Sequence, residues 1–245
     1  MKFNNKKVSG HSKWATTHKQ KELKDSKKSS VFSKYAKLIT ISARDKGGDL
    51  ETNFNLRILV NKAKKENMPK DKIENAIKKG TGEIESEIIE ELFYEGVGPY
   101  NTQFVVKCIT DSRNRCAGDI RYFFSKNGGN LSSVLWNFDY LSIFEFNLSE
   151  NKIDYDDFEL KLIELNIKDI IKDGDTITIY DDFSKFSDIK NFLNLCNINT
   201  CSEEIKYIPK VKLELNKEDL ETISVLYNIL LDYEDVVEIW TNFSI

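Results

Sequence analysis

The hydrophobic period of this chain changes near Gly80, and that change governs what it can build. Before it, apolar residues recur at three- and four-residue steps, the spacing of one buried face of a helix. Val31, Tyr35, Leu38, Ile39 and Ser42 fall on one such face, Leu56, Leu59, Val60 and Ala63 on a second, and Ile73, Ala76 and Ile77 on a third. Gly47-Gly48-Asp49 ends the first helix, and Asn53 or Asn55 can cap the second, which stops near Asn67-Met68-Pro69. Pro69 suits the start of a third helix, with Gly80 as its stop. Three short helices joined by tight turns predict a small bundle.

After Gly80 the pattern turns to strands and helices in alternation. Leu92 and Tyr94, then Phe104 to Ile109, read as two strands around the Gly96-Val97-Gly98-Pro99 turn. Thr110-Asp111-Ser112 looks like an N-cap, the segment Arg113 to Asn127 is helical, and Val134 to Trp136 start a further strand. Residues 141–208 contain strand, helix, two strands joined at Asp173-Gly174-Asp175, helix and strand. That βαββαβ order is the ferredoxin-like arrangement. The tail offers a strand at Val211, Leu213 and Leu215, a helix from Leu220 to Leu230, and a last strand from Val236 to Trp240. A lone βαβ tail needs a sheet to join, and the strands of residues 89–138 supply one. The expected fold is α+β: a basic arm and helical bundle over residues 1–81, a discontinuous α/β middle domain over 82–140 plus 209–245, and an inserted ferredoxin-like domain over 141–208.

Charge divides at the same place. Residues 1–80 hold 21 Lys and Arg against 8 Asp and Glu, a net of +13. The whole chain holds 36 and 40, so residues 81–245 hold 15 and 32, a net of −17. A basic end on an acidic body points to a polyanion held at that end, with nucleic acid the commonest; a solvated lysine-rich tail is the plainer alternative. Lysines crowd residues 1–30 while apolar residues are few, so this segment is expected to lie partly extended and to order on a partner.

Other function classes find little support. No apolar run reaches the roughly 18 residues that a membrane span needs, and the N-terminus MKFNNKKVSGHSKW has no signal-peptide core, so a cytoplasmic protein is expected. Cys108, Cys116, Cys196 and Cys201 fit no zinc spacing and are expected as reduced thiols. Gly80-Thr81-Gly82 lacks the Gly-Lys-Ser/Thr of a phosphate loop. His11 and His18 sit in the arm, a poor place to hold a general base. The acidic pairs Asp156-Asp157 and Asp181-Asp182 read as solvated surface. No catalytic constellation, metal or cofactor is expected, and no small-molecule substrate.

Spaced motifs run through the chain. Gly10-His11-Ser12-Lys13-Trp14-Ala15 is followed by Asn67-Met68-Pro69-Lys70-Asp71-Lys72-Ile73-Glu74, Ala76-Ile77-Lys78-Lys79-Gly80 and Tyr94-Glu95-Gly96-Val97-Gly98-Pro99. Then come Thr110-Asp111-Ser112-Arg113-Asn114-Arg115, Phe124-Ser125-Lys126-Asn127-Gly128-Gly129-Asn130-Leu131, Asp235-Val236 and Thr241-Asn242-Phe243. Together they resemble the YebC/PmpR family, which includes the mitochondrial translational activator of cytochrome c oxidase subunit I. The resemblance covers nearly the whole chain and implies a helical domain followed by two α/β domains, the last inserted into the second. The chain departs from the family pattern at Asn53-Phe54-Asn55-Leu56-Arg57, where an Asn-Pro pair is usual. It departs again at Ser132-Ser133-Val134, where further glycines are usual, and in the reordered basic run after Ala15.

The candidate nucleic-acid contacts are Lys13, Trp14, Lys19, Lys21, Lys27, Lys28 and Lys34 in the basic region, and Arg113, Arg115, Arg121 and Lys126 in the middle domain. A cation beside a large aromatic suits phosphate contact with base stacking, although Trp14 could equally dock the arm onto the bundle. Arg113 and Arg115 open a helix, where backbone N–H groups already favour an anion. Ion pairing with Asp111 or Asp119 is the competing reading. The family is linked both to DNA-binding transcriptional regulation and to translation on the ribosome. The absence of a clear helix-turn-helix recognition helix and the acidic body favour ribosomal RNA over promoter DNA as partner, with the ribosome as the expected site of action.

Overall fold

The computed structural model describes residues 11–85 and 87–244, with side chains described from residue 29 onward. Helix α1 spans His11–Lys46, α2 Phe54–Lys65 and α3 Lys70–Thr81. The first helix therefore starts well before Val31, and the segment expected to be extended is helical from His11. Residues 11–30 contain no Pro or Gly and hold six lysines, whose straight side chains lose little rotamer freedom in a helix. A helix nucleated where Leu38, Ile39, Ile41 and Ala43 are buried can grow back through such a segment at small cost per residue.

Asn53 does more than cap α2. Its Oδ1 accepts the Leu56 N–H at 3.1 Å, while its Nδ2 donates to the carbonyls of Ser42 and Gly47 at 2.9 and 2.8 Å. One buried amide thus fixes the end of α1 to the start of α2. The stop of α3 falls at Gly82, in the left-handed region with φ of 80°, rather than at Gly80. Gly80 serves the helix crossing: a Cβ there would stand 2.4 Å from the Thr40 carbonyl and 2.7 Å from the Ala43 Cβ. Thr40 closes the same crossing by donating its hydroxyl to the Ala76 carbonyl at 3.0 Å.

The first sheet takes β1 (Glu90–Val97), β2 (Gln103–Thr110) and, after helix α4 (Arg113–Lys126), the short β3 (Asn130–Leu131). The chain then builds a second sheet from β4 (Phe138–Asn147), the short helix α5 (Leu148–Asn151), α6 (Tyr155–Glu164), β5 (Asp169–Asp173), β6 (Thr176–Asp182), α7 (Phe186–Leu195) and β7 (Ser202–Pro209). It returns through α8 (Lys217–Asp232) to β8 (Val236–Thr241), which joins the first sheet. The strand orders are β3-β1-β2-β8 and β5-β6-β4-β7, and every pairing is antiparallel. The second order is that of a ferredoxin-like unit, lying in sequence between two strands of the first sheet.

Alternation along β2 explains the layers. Phe104, Val106 and Cys108 pack under α4 and α8 with Ile120, Phe124, Ile223 and Leu226. Ile109, on the opposite face, joins the core of the helical bundle. In the second sheet Phe144, Phe146, Ile177 and Ile179 meet Phe158, Leu162, Ile189 and Leu193 of α6 and α7. Ile58 of α2 joins this core too, so the bundle touches both sheets. An aromatic seam of Phe93, Trp240, Tyr207 and Tyr140 ties the sheets together, with ring centroids 4.7 to 6.5 Å apart along it.

Three local expectations differ from the structure. Leu135–Asn137 is a single 3-10 turn before β4 rather than part of a strand. Val211 to Leu215 form no strand: the Val211 N–H goes to Asn137 Oδ1 at 3.1 Å and the Leu213 N–H to the Asn242 carbonyl at 2.6 Å. Leu213 and Leu215 pack on the first sheet's helical layer, so their alternation reports burial without a ladder. Asp181 is buried rather than solvated, with Lys185 at 3.2 Å.

Candidate nucleic-acid interface

Lys13, Trp14, Lys19, Lys21, Lys27 and Lys28 lie on the first half of α1, where the backbone is helical; their side chains lie outside the described residues. At 1.5 Å per residue α1 is about 54 Å long. Its described packing begins near Phe32 and Tyr35 and runs to Ala43.

Lys34 is differently placed from the other lysine candidates. Half-buried, it donates to the Leu231 carbonyl near the end of α8. Burial lowers its pKa, with Asp232 opposing that shift. Lys34 therefore docks α1 on α8, where the exposed carbonyls at a helix C-terminus attract a cation. One turn on, Lys37 donates to the carbonyls of Ile109 and Glu234 at 3.1 and 3.0 Å and to Asp235 Oδ1 at 3.0 Å.

Asp235 is the centre of this region. Its side chain is 3% exposed and faces Lys37 on one oxygen. The other oxygen accepts from Arg115 at 2.8 Å and from the Thr110 hydroxyl at 2.8 Å. Tyr233 donates to Asp119 at 2.7 Å beside it. Lys37, Tyr233 and Asp235 were absent from the sequence candidates. The signal that could have found Asp235 is its place in one of the spaced motifs.

The α4 residues consequently divide. Arg115 bridges Asp111 at 3.0 Å and Asp235 at 2.8 Å, so its guanidinium is committed within the fold. Arg113, Arg121 and Lys126 are exposed, and none has an ion pair among the described residues. Ser112 makes no side-chain cap to α4, which leaves first-turn N–H groups next to Arg113 open to an anion. Arg113→Ala is expected to weaken nucleic-acid binding about tenfold with unchanged melting, whereas Arg115→Ala lowers the melting temperature. Thermal melts and binding curves on the two single variants check this; the opposite pattern would reverse the assignment.

Cys108 and Cys116 are buried and free, and the hydrogen bond with Cys116, together with burial, pushes the Cys108 thiol up. Among the described residues no helix is long and apolar enough to cross a membrane.

Comparison with known proteins gives consistent matches over this whole architecture. Residues 12–83 match the model of the TACO1/YebC protein N-terminal domain, and residues 89–243 match that of the TACO1/YebC second and third domain. A probable transcriptional regulatory protein of Halothermothrix orenii is 38% identical over 242 residues, covering 97% of this chain and 96% of its own length. A probable transcriptional regulatory protein of Thermoanaerobacter pseudethanolicus is 36% identical over 241 residues, covering 97% and 98%. The crystal structure of a conserved hypothetical protein from Aquifex aeolicus superposes with a TM-score of 0.71 at 31% identity, covering 90% of this chain and 91% of that one.

Proposed function

The chain belongs to the TACO1/YebC family, whose members are named as regulators of gene expression, and on that premise we propose that it is a non-enzymatic RNA-binding factor acting in translation at the ribosome. The observation that carries this reading is the coincidence of charge with architecture. Residues 11–80, which carry α1, α2 and α3, hold 18 Lys and Arg against 8 Asp and Glu, a net of +10, while the net −17 falls on residues 81–245 with the two sheets and their helices. A long duplex laid along the molecule would meet the acidic part. A folded RNA, recognised by shape and phosphates, can be entered by the basic helix while the acidic body faces basic ribosomal proteins. The arm and helical unit, residues 1–81, then make most of the contacts, through Lys13, Trp14, Lys19, Lys21, Lys27 and Lys28. Arg113, Arg121 and Lys126 orient the middle unit, and Arg115 supports them from within. This reading places the chain in the cytoplasm, needs no cofactor, and involves neither a membrane nor a small-molecule substrate.

The names of the relatives favour a second reading, a DNA-binding transcriptional regulator. Binding to ribosomal RNA and to a promoter duplex at one salt concentration separates the two, together with co-sedimentation with ribosomes before and after nuclease. RNA binding that exceeds duplex binding and nuclease-sensitive co-sedimentation are the expected results. Tighter, sequence-selective binding to the duplex would replace translation with transcription.

A further inference from the structure

Two aromatic side chains, Trp136 and Tyr100, stand exposed on segments that meet the β1–β2 end of the first sheet. We infer that Trp136 is a stacking platform for unpaired bases of single-stranded RNA, with Tyr100 as a second stacking point. The inference rests on the RNA-binding reading above and adds a second contact region, remote in sequence from the basic helix.

Trp136 is 66% exposed, yet the segment carrying it is fixed on all sides. The indole Nε1 donates to the Ser133 carbonyl at 3.2 Å, and the Trp136 carbonyl accepts from Lys210 at 2.9 Å. Glu95 holds the preceding residues with one carboxylate oxygen, which accepts the Ser133 hydroxyl at 3.1 Å and the N–H groups of Val134 and Leu135 at 2.6 and 2.8 Å. An aromatic face held this way loses little freedom when a ligand stacks on it.

Tyr100 is the second ring, 47% exposed at the tip of the β1–β2 turn. Its backbone lies in the left-handed region, with φ 60° and ψ 27°, a conformation that costs a non-glycine residue energy and recurs at ligand sites. The turn is braced by Thr102, whose hydroxyl donates to the Pro99 carbonyl at 2.8 Å.

Three backbone segments meet here. Val97 pairs with Asn130 across β1 and β3, and Asn137 donates to the Gln103 side chain at 2.7 Å. Gly129 is pressed against β1 so closely that a Cβ would stand 2.5 Å from the Val97 carbonyl. The surrounding surface carries polar side chains, and Lys210 reaches it beside Asp139. Asn130, Ser132 and Lys126 are exposed, and the Glu95 carboxylate is already engaged by three donors. Aromatic faces set among amides, hydroxyls and lysines fit a base and its phosphate, and the exposed Val211 beside Asn137 adds an apolar edge.

The test uses the full chain, a labelled short oligouridylate RNA and an RNA duplex without unpaired bases. Trp136→Ala is expected to weaken oligouridylate binding about tenfold, with duplex binding, salt slope and melting temperature unchanged. Trp136→Phe retains most of the affinity because the ring is kept. Equal oligouridylate binding by Trp136→Ala and the parent overturns the platform while leaving RNA binding intact. A parent chain that binds neither RNA overturns the platform and the underlying reading together.

Discussion

Removal of residues 1–28 is expected to abolish most of the nucleic-acid affinity of this chain and to flatten its dependence on salt. The segment carries nine lysines, with Glu22 and Asp25 its only acids. Each phosphate neutralised by a lysine contributes about 0.7 to 0.9 to the slope of log affinity against log salt. If half of the nine reach phosphates, the slope shrinks by about three to four, and affinity at low salt falls by about a hundredfold or more. The fold has little reason to suffer. The part of α1 that is packed, from Phe32 through Leu38 to Ala43, remains in the truncated chain. Salt-dependent binding of the full and truncated chains, with a thermal melt of each, makes the measurement. A truncated chain that keeps the full-length slope would move the binding energy to the bundle and α4.

Asp235→Ala is expected to destabilise the protein by about 1–3 kcal/mol, because it removes a buried acceptor shared by Lys37, Arg115 and Thr110, while solvent screens the partly exposed Arg115 and Lys37. Lys37 would lose its carboxylate, Arg115 would keep only Asp111, and the Thr110 hydroxyl would lose its acceptor. The cost is felt between units, since Lys37 belongs to α1, Thr110 to β2 and Arg115 to α4. The loss also has a pH signature. Burial by itself would raise the Asp235 pKa, but the hydrogen bonds from Arg115, Lys37 and Thr110 outweigh it and hold the carboxyl below its ordinary value. A group whose pKa is lower in the folded state contributes stability above its unfolded pKa, about 3.9 for Asp. It loses that contribution as pH falls through the folded value. The gap between parent and Asp235→Ala should therefore be full at neutral pH and close below about pH 4. Urea denaturation at several pH values reads it. A neutral-pH gap under about 1 kcal/mol, the size for an exposed pair, would show that Asp235 is not the joint.

Much of the architecture was legible because local pattern reports local state. The switch from three- and four-residue steps to alternation separated the bundle from the sheets. The βαββαβ order of residues 141–208 identified the ferredoxin-like unit before any contact was known. Asn53 could be read as a cap because capping needs only a side chain and the N–H three residues on. The same locality explains the errors. Gly80 reads as a helix stop in sequence and turns out to be a crossing point, since only the presence of α1 tells the two apart. Val211 to Leu215 alternates like a strand because Leu213 and Leu215 pack partly buried on the helical layer while Val211 stays exposed, but a ladder needs a partner edge that is not offered.

The sequence by itself determined the order of elements, the fold class and the concentration of positive charge at one end, all of which are set by neighbours a few residues apart. It also carried the spaced motifs of the family. Tertiary structure alone decided which charges are committed and which remain available. Arg113 and Arg115 are two residues apart and chemically identical, yet only Arg115 finds Asp235, 120 positions away, and Lys37 meets the same carboxylate from 198 positions away. The strength of an ion pair depends on distance in space and on removal from water. Neither quantity is written in the spacing of residues along a chain, so both arise only when the bundle, the sheet and α4 close on one buried aspartate.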